Sequence, residues 1–279
     1  MSWPMPERHA AMTQTEDAYI PLEARPLRET ICLFDLDGTL CPEKQLVSPE
    51  MRSLLRLLRT KCTIGYVSGG PILKQQQQAG SPSVSVISRF DFCFPENGAT
   101  AFRLGAPLPG SSFVKEIGEE NYKRLVNWVL KYIADLDIPI KRGTFVEFRH
   151  GNVNISPIGQ GATHAEMEDF QKYDEVYGVR KAMIKALSLE FSSLNLMCAI
   201  GGQACFDVFP AGWNKTYCLR HVEAEKYRSG LVYKDIHFFG DKIHVGGNDY
   251  ELYHDERTIG HHVTSPKDTM RQLKALFQL

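Results

Sequence analysis

The sequence predicts an α/β protein, a parallel-sheet core interrupted by an inserted α+β unit with an antiparallel sheet. Three observations predict it. Short continuous apolar runs end abruptly in turns rich in Asp, Ser and Gly, the pattern of strands buried on both faces of a parallel sheet. Helical periodicity separates the first two runs, as in a strand–helix–strand unit. The middle of the chain instead alternates polar and apolar residues around tight turns, as antiparallel hairpins do.

The first run, Ile31-Cys32-Leu33-Phe34, stops at Asp35-Leu36-Asp37-Gly38-Thr39. Ser48-Pro49-Glu50 then opens a helix whose apolar face is Met51, Leu54, Leu55, Leu57 and Leu58. Serine caps such a start and proline suits the first helical position. The second run, Thr63-Ile64-Gly65-Tyr66-Val67, ends at Ser68-Gly69-Gly70-Pro71. Residues 90–94 and 99–102 flank the turn-forming Pro95-Glu96-Asn97-Gly98. A helix is expected over 121–136 and a charged helical stretch over 163–193. Hairpins are expected over 144–156, around His150-Gly151, and over 196–209, around Gly201-Gly202. A helix is expected from Lys215 to Val222, and Ile236-His237-Phe238-Phe239 is the next buried strand, ending in Gly240-Asp241. The expected division is a mobile N-terminal extension over 1–28, a core of 29–109 and 213–279, and an inserted unit over 110–212. Trp128 and Trp213 read as packing residues, His261-His262 as surface or loop, and Gln75 to Gln78 as too short for a low-complexity tract.

Across 279 residues, 32 Lys+Arg oppose 33 Asp+Glu, a formal charge of −1. That balance argues against a general nucleic-acid binder, whose domain is usually basic. No run approaches the ~18 apolar residues that suggest a membrane span. The first 28 residues lack the apolar stretch of a secretory signal. Seven cysteines, an odd number with no C-x-x-C pair, read as small buried hydrophobes in a reducing compartment, so the cytoplasm is expected.

The chemistry centres on Asp35 and Asp37. In open α/β sheets ligands bind at the carboxyl ends of the strands. An aspartate placed there can attack phosphorus, while a neighbour protonates the leaving oxygen and later deprotonates the incoming hydroxyl. Ser68 ends the second strand with a hydroxyl for a phosphoryl group. Lys215 can neutralise nucleophile and phosphate together. Asp241 and Asp249, eight apart after the third buried strand, complete an oxygen-rich site suited to Mg2+.

That four-part order resembles the haloacid dehalogenase (HAD) phosphotransferase superfamily. The longer strings FDLDGT, FPENG, KRGTFVEFR, NISPIG, FDVFP and HFFGDK resemble, in order, the eukaryotic-type phosphomannomutase family. The resemblance implies a Rossmann-like HAD core with an inserted cap, a homodimer formed through the cap, and dependence on Mg2+. It implies interconversion of mannose 6-phosphate and mannose 1-phosphate, feeding GDP-mannose synthesis, with hexose 1,6-bisphosphate as intermediate and activator. Asp35 would be the phosphorylated nucleophile, Asp37 the acid/base, and Lys215 their cationic partner. The metal would take Asp35, Asp37 through its carbonyl, and Asp241. A second cation would use Tyr253 through its carbonyl, Asp255 and Thr258. Substrate contacts would fall to Lys44, Ser68, Arg149, Gln160, Cys205 and Asp207.

Several of these positions depart from the family pattern. Lys44 stands for an arginine, which keeps the charge but loses the planar fork for bidentate phosphate contact. Gln160 and Met167 stand where the family has cap arginines, and Cys205 where it has a serine. Gly70-Pro71 replace Ser-Asp, and Asn214 replaces Asp. Lys172 and Arg142 are the cap cations that would substitute for the missing arginines. Ser68-Gly69-Gly70-Pro71 also resembles the strand end of cap-bearing HAD sugar phosphatases. A sugar-phosphate phosphatase, and a catalytically silent dimeric binding protein, are therefore the competing expectations.

Overall fold

The computed structural model describes residues 20–279. Eleven strands are found among them: β1 Leu27–Phe34, β2 Cys62–Val67, β3 Phe92–Phe94, β4 Phe102–Arg103, β5 Ala106–Pro107, β6 Val146–Phe148, β7 Val153–Ile155, β8 Leu196–Gly201, β9 Cys205–Pro210, β10 Asp235–Gly240 and β11 Ile259–His262. They form a seven-stranded sheet, β11-β10-β1-β2-β3-β4-β5, and a four-stranded sheet, β6-β7-β9-β8. The first is parallel from β11 to β3 and antiparallel beyond it. The second is antiparallel throughout.

Period-two alternation along β1 sends Cys32 and Phe34 to one apolar layer and Ile31 and Leu33 to the other. Both layers are covered, which is why the run reads as continuously apolar. One layer receives Met51, Leu54, Leu55 and Leu58 from α1 (Pro49–Lys61), and Leu273 and Phe277 from the C-terminal helix. Ser48 Oγ accepts from Met51 N at 3.2 Å and starts α1. The other layer receives Leu219 and Val222. The four-stranded sheet has its own core, where Leu125, Val129 and Ile133 of α3 (Glu119–Asp135) meet Val153, Ile155, Phe206 and Val208. The intervening α2 is Ile72–Ala79. No helix among the described residues is long and apolar enough to cross a membrane.

Four expectations need correction. Residues 1–19 of the expected extension lie outside the described residues, but 20–28 are not an extension. Leu22 is buried, and Arg25, 3% exposed, donates to Cys62 O at 2.9 Å and to Asp91 Oδ2 and Oδ1 at 2.5 and 2.9 Å. Arg59 Nε reaches the same carboxylate at 2.9 Å. The helical stretch over 163–193 is two helices, α4 (His164–Tyr177) and α5 (Val179–Glu190), broken at left-handed Gly178. The second hairpin turns at 202–204, because Gly201 still pairs with Cys205. His261 and His262 do not lie in a loop, and only His262 is exposed; His261 is half-buried. His261 lies in β11, stacks on Phe239 at 4.4 Å, and shares a 2.8 Å hydrogen bond with His237.

Candidate active site

The C-terminal ends of β1, β2 and β10 gather the candidate residues at one edge of the parallel sheet. Asp35 leaves β1 after a last ladder bond from its N–H to Phe239 O at 3.0 Å. Lys215, 1% exposed, opens a short 3-10 turn that Asn214 caps, its Oδ1 accepting from Thr216 N at 3.0 Å. Asn214 thus supplies the cap of this turn. Lys215 Nζ bridges Asp35 Oδ1 at 2.5 Å and Asp249 Oδ1 at 2.7 Å. Burial pushes the Asp35 carboxyl up to about 7, opposed by the ammonium of Lys215. Burial works against the charge on Lys215, but Asp249 and Asp35 together hold it protonated.

Asp249, expected with Asp241 in an oxygen-rich metal site, is instead taken up by Lys215 and by backbone N–H groups. Its second oxygen accepts from Asp241 N at 3.1 Å and Lys242 N at 3.0 Å, so it aligns both Lys215 and the turn after β10. Oxygens of Asp35, Asp241 and Asp249 lie within 4.8 Å of one another. Asp249 is fully occupied, whereas Asp241 Oδ1 is buried with no hydrogen-bond partner. Gly38 lets that carboxylate pack close against the β1 loop: at φ 79° a β-carbon there would lie 2.3 Å from Asp241 Oδ2. An orphaned buried carboxylate oxygen within 4.8 Å of a second carboxylate fits a small hard cation.

Asp37 is held by three donors: Lys74 Nζ at 2.6 Å, Gln78 Nε2 at 2.7 Å and Lys44 N at 2.8 Å. Burial resists its ionisation, but these groups, Lys74 foremost, keep its carboxyl below the usual carboxylate range. Lys44 turns its N–H onto Asp37 by taking a left-handed φ of 58°. Lys74 and Gln78 were missed from sequence, although they stand four apart on α2, directly after the Gly69-Gly70-Pro71 turn. The glutamine run matters as well: Gln75 accepts from Tyr66 OH and donates to Gly70 O, both at 2.7 Å. Ser68 sits on this loop, 6% exposed, its Oγ accepting from Gly70 N at 3.4 Å.

The four-stranded sheet presents a polar wall to these loops. Asp207 Oδ1 accepts from Asn154 Nδ2 at 2.7 Å and Arg149 NH1 at 3.2 Å. Gln160 Nε2 in turn donates to Asn154 Oδ1. Arg149 also grips Glu147 Oε2 at 2.6 and 3.0 Å, so one guanidinium faces two carboxylates. Burial pushes Asp207 up, opposed by Arg149. Cys205 Sγ bonds Gly201 O at 3.0 Å, and burial raises its thiol. A β-carbon on Gly69 would lie 3.6 Å from Asp207 Oδ2, so this wall closes directly over the loop carrying Ser68. Lys44 Nζ stops 3.8 Å from Met167 Sδ. Arg142 pairs with Glu166 at 2.6 Å and Lys172 lies 3.4 Å from Asp169, so each has a carboxylate partner on α4.

Tyr253, Asp255 and Thr258 share one turn. Arg257 takes both oxygens of Asp255 at 2.7 Å, and Thr258 Oγ1 donates to Leu252 O at 2.6 Å.

A model of the eukaryotic phosphomannomutase family matches residues 51–279. The chain belongs to that family. The phosphomannomutase of Schizosaccharomyces pombe is 50% identical over 262 residues, covering 94% of this chain and all of that one. The Saccharomyces cerevisiae protein of the same name is 50% identical over 251 residues, covering 90% and 95%. Phosphomannomutase 1 of Dictyostelium discoideum is 51% identical over 249 residues, covering 89% and 96%. Among solved structures, the C-terminal domain of Candida albicans trehalose-6-phosphate phosphatase superposes with a TM-score of 0.59 at 14% identity, covering 88% and 92%. A haloacid dehalogenase-like hydrolase from Bacteroides thetaiotaomicron gives 0.56 at 13%, covering 89% and 99%. These two share the fold, a Rossmann-like HAD core with an added cap.

Proposed function

We propose that the protein is a phosphomannomutase that interconverts mannose 6-phosphate and mannose 1-phosphate through an aspartyl-phosphate and a hexose 1,6-bisphosphate, supplying GDP-mannose synthesis. The observation that carries this reading is the buried Asp35–Lys215–Asp249 bridge at the end of β1, set two residues from Asp37 in a member of this family. An Asp35 oxygen attacks phosphorus of the activating hexose bisphosphate, and the P–O bond to the sugar breaks. Asp37, in its protonated form, gives the proton to the departing sugar oxygen. For the return transfer Asp37 removes the proton from the acceptor hydroxyl, and the phosphoryl group passes from Asp35 to that oxygen. Lys215 balances the charge on Asp35 and on the transferring group throughout. Lys74, Gln78 and Lys44 N keep Asp37 oriented, and Ser68 offers a hydroxyl to the phosphoryl oxygens.

Asp35, Asp241 and the Asp37 carbonyl would hold Mg2+. When bound, it supplies positive charge that lets an anionic carboxylate approach an anionic phosphate. Arg149, Asn154, Gln160 and Asp207 face the sugar hydroxyls. The apolar groove between α3 and the edge strand β6, lined by Tyr122, Val126, Leu130, Val146 and Phe148, supports pairing of two caps in a homodimer. Seven free thiols support a cytoplasmic home.

One observation favours a second reading, a sugar-phosphate phosphatase. On the cap wall the single Arg149 is outnumbered by Glu147 and Asp207, while Gln160 and Met167 are uncharged. Such a wall suits hydroxyls better than a second phosphate. Mannose 1-phosphate supplied with Mg2+, with and without glucose 1,6-bisphosphate, separates the two. Activator-dependent formation of mannose 6-phosphate supports the mutase, and release of free phosphate without isomer supports the phosphatase.

A further inference from the structure

Three consecutive residues after β3 hold left-handed backbone: Glu96 at φ 50°, Asn97 at 61° and Gly98 at 98°. Glycine enters this region freely and asparagine visits it, but a long side chain such as glutamate rarely does. Where such a conformation persists, the surroundings over-determine it, and these positions cluster at functional sites. Asn97 has a local reason, since its Nδ2 donates to Trp213 O at 3.1 Å. Glu96 has a distant one. It is buried, and its carboxylate accepts from Gly151 N, in the turn between β6 and β7 on the cap.

The backbone of the same turn is bonded to the core. Glu96 N donates to Gly70 O at 3.1 Å, and Asn97 N to Ser68 O at 2.9 Å. One residue is therefore tied both to the loop carrying Ser68 and to the cap. The fit is equally close from the other side, where a β-carbon on Gly151 would lie 2.4 Å from Ala99 Cβ and 3.2 Å from Glu96 Cβ. Asn152 adds a second crossing, its Nδ2 to Gly69 O at 3.2 Å. From this turn the chain runs back to Arg149 and Glu147 and forward to Asn154, the residues that orient Asp207.

We propose that Glu96 is a positioning residue that, through its bond to Gly151 N, registers the cap's sugar-facing wall over Asp35. It touches no reacting atom and acts through Arg149 and Asp207. A sugar phosphate gripped by that wall presents its phosphorus correctly only when the wall is in register. A small aryl phosphate has no hydroxyls for the wall to hold and reacts in the core alone. Loss of Glu96 therefore separates the two activities, a consequence beyond the mutase reading itself.

The test compares the native protein with Glu96→Gln, Glu96→Ala and Gly151→Ala, using mannose 1-phosphate with activator and, separately, p-nitrophenyl phosphate, with melting temperatures recorded. Glu96→Gln keeps an acceptor oxygen and stays near native. Glu96→Ala and Gly151→Ala each lose about tenfold in kcat/KM for the sugar phosphate, the scale of one buried hydrogen bond, while aryl phosphate hydrolysis holds. Combined, their losses fall short of the product, because both break one contact. An equal fall with both substrates, or unchanged sugar-phosphate turnover in Glu96→Ala, overturns the proposal. Small-angle scattering reads the same point without turnover: Glu96→Ala has the larger radius of gyration, and identical curves overturn the proposal. If the native protein hydrolyses the aryl phosphate but isomerises no sugar phosphate, the mutase reading falls, and scattering still decides the role of Glu96.

Discussion

Lys215 Nζ lies 2.5 Å from Asp35 Oδ1 although the two residues are 180 apart in the chain, and both are buried. Lys215→Met keeps the length of the side chain and removes its charge, leaving Asp35 and Asp249 facing each other unneutralised. Breaking one side of a buried pair costs about 3–5 kcal/mol, so unfolding by denaturant shifts to a lower midpoint. Loss of a preorganised charge at the phosphoryl site lowers kcat by about 10²–10³. Near-native turnover in Lys215→Met would remove it from the mechanism.

Arg25 tests the boundary of the folded chain. Its guanidinium neutralises buried Asp91 together with Arg59. Arg25→Met strands part of that charge and destabilises the protein by about 3–5 kcal/mol. Chemical denaturation measures the loss. A change below about 0.5 kcal/mol, the scale of a neutral surface substitution, would return residues 20–28 to the status of an appendage.

The cap wall can be recharged. Gln160→Arg with Met167→Arg adds two cations beside Asn154 and Lys44. Each charge-assisted bond contributes about 1.5–3 kcal/mol, so affinity for glucose 1,6-bisphosphate rises at least tenfold while mannose 1-phosphate gains less. Calorimetric titration of both ligands gives the ratio. An unchanged ratio would mean that the distal phosphate is held elsewhere.

His261 makes the fold acid-sensitive. Burial, with the neighbouring His237, lowers its pKa from 6.5 to about 4. The unfolded chain therefore binds the extra proton first, and stability rises with pH wherever it does so. The contribution is fully present above pH 6.5 and is lost as the pH falls toward 4. Thermal melts across that window fall steeply for the native protein and less for His261→Asn. Equal slopes would show that His261 is not the group responsible.

Much of this architecture is legible in the sequence because its causes are local. The continuous apolar runs of β1, β2 and β10, the Ser48-Pro49 start of α1, and Asp35 and Asp37 at a strand end each depend on neighbouring residues. Side-chain pairing between distant segments carries no such signature. Asp91 looks like a strand-edge residue until Arg25, 66 positions away, is seen against it. Lys74 and Gln78 sit in a short glutamine-rich helix whose composition says nothing of Asp37. Glu96 looked like an ordinary turn residue, and only the cap hairpin gives its left-handed backbone a purpose.

The central claim is that Asp35 carries a phosphoryl group from one sugar to another. Incubation with Mg2+ and 32P-labelled glucose 1,6-bisphosphate, followed by mannose 1-phosphate, tests it directly. The account predicts acid-stable label on the native protein, none on Asp35→Asn, and passage of the label into mannose bisphosphate and then mannose 6-phosphate. Label that appears only as inorganic phosphate, or that survives on Asp35→Asn, would contradict it.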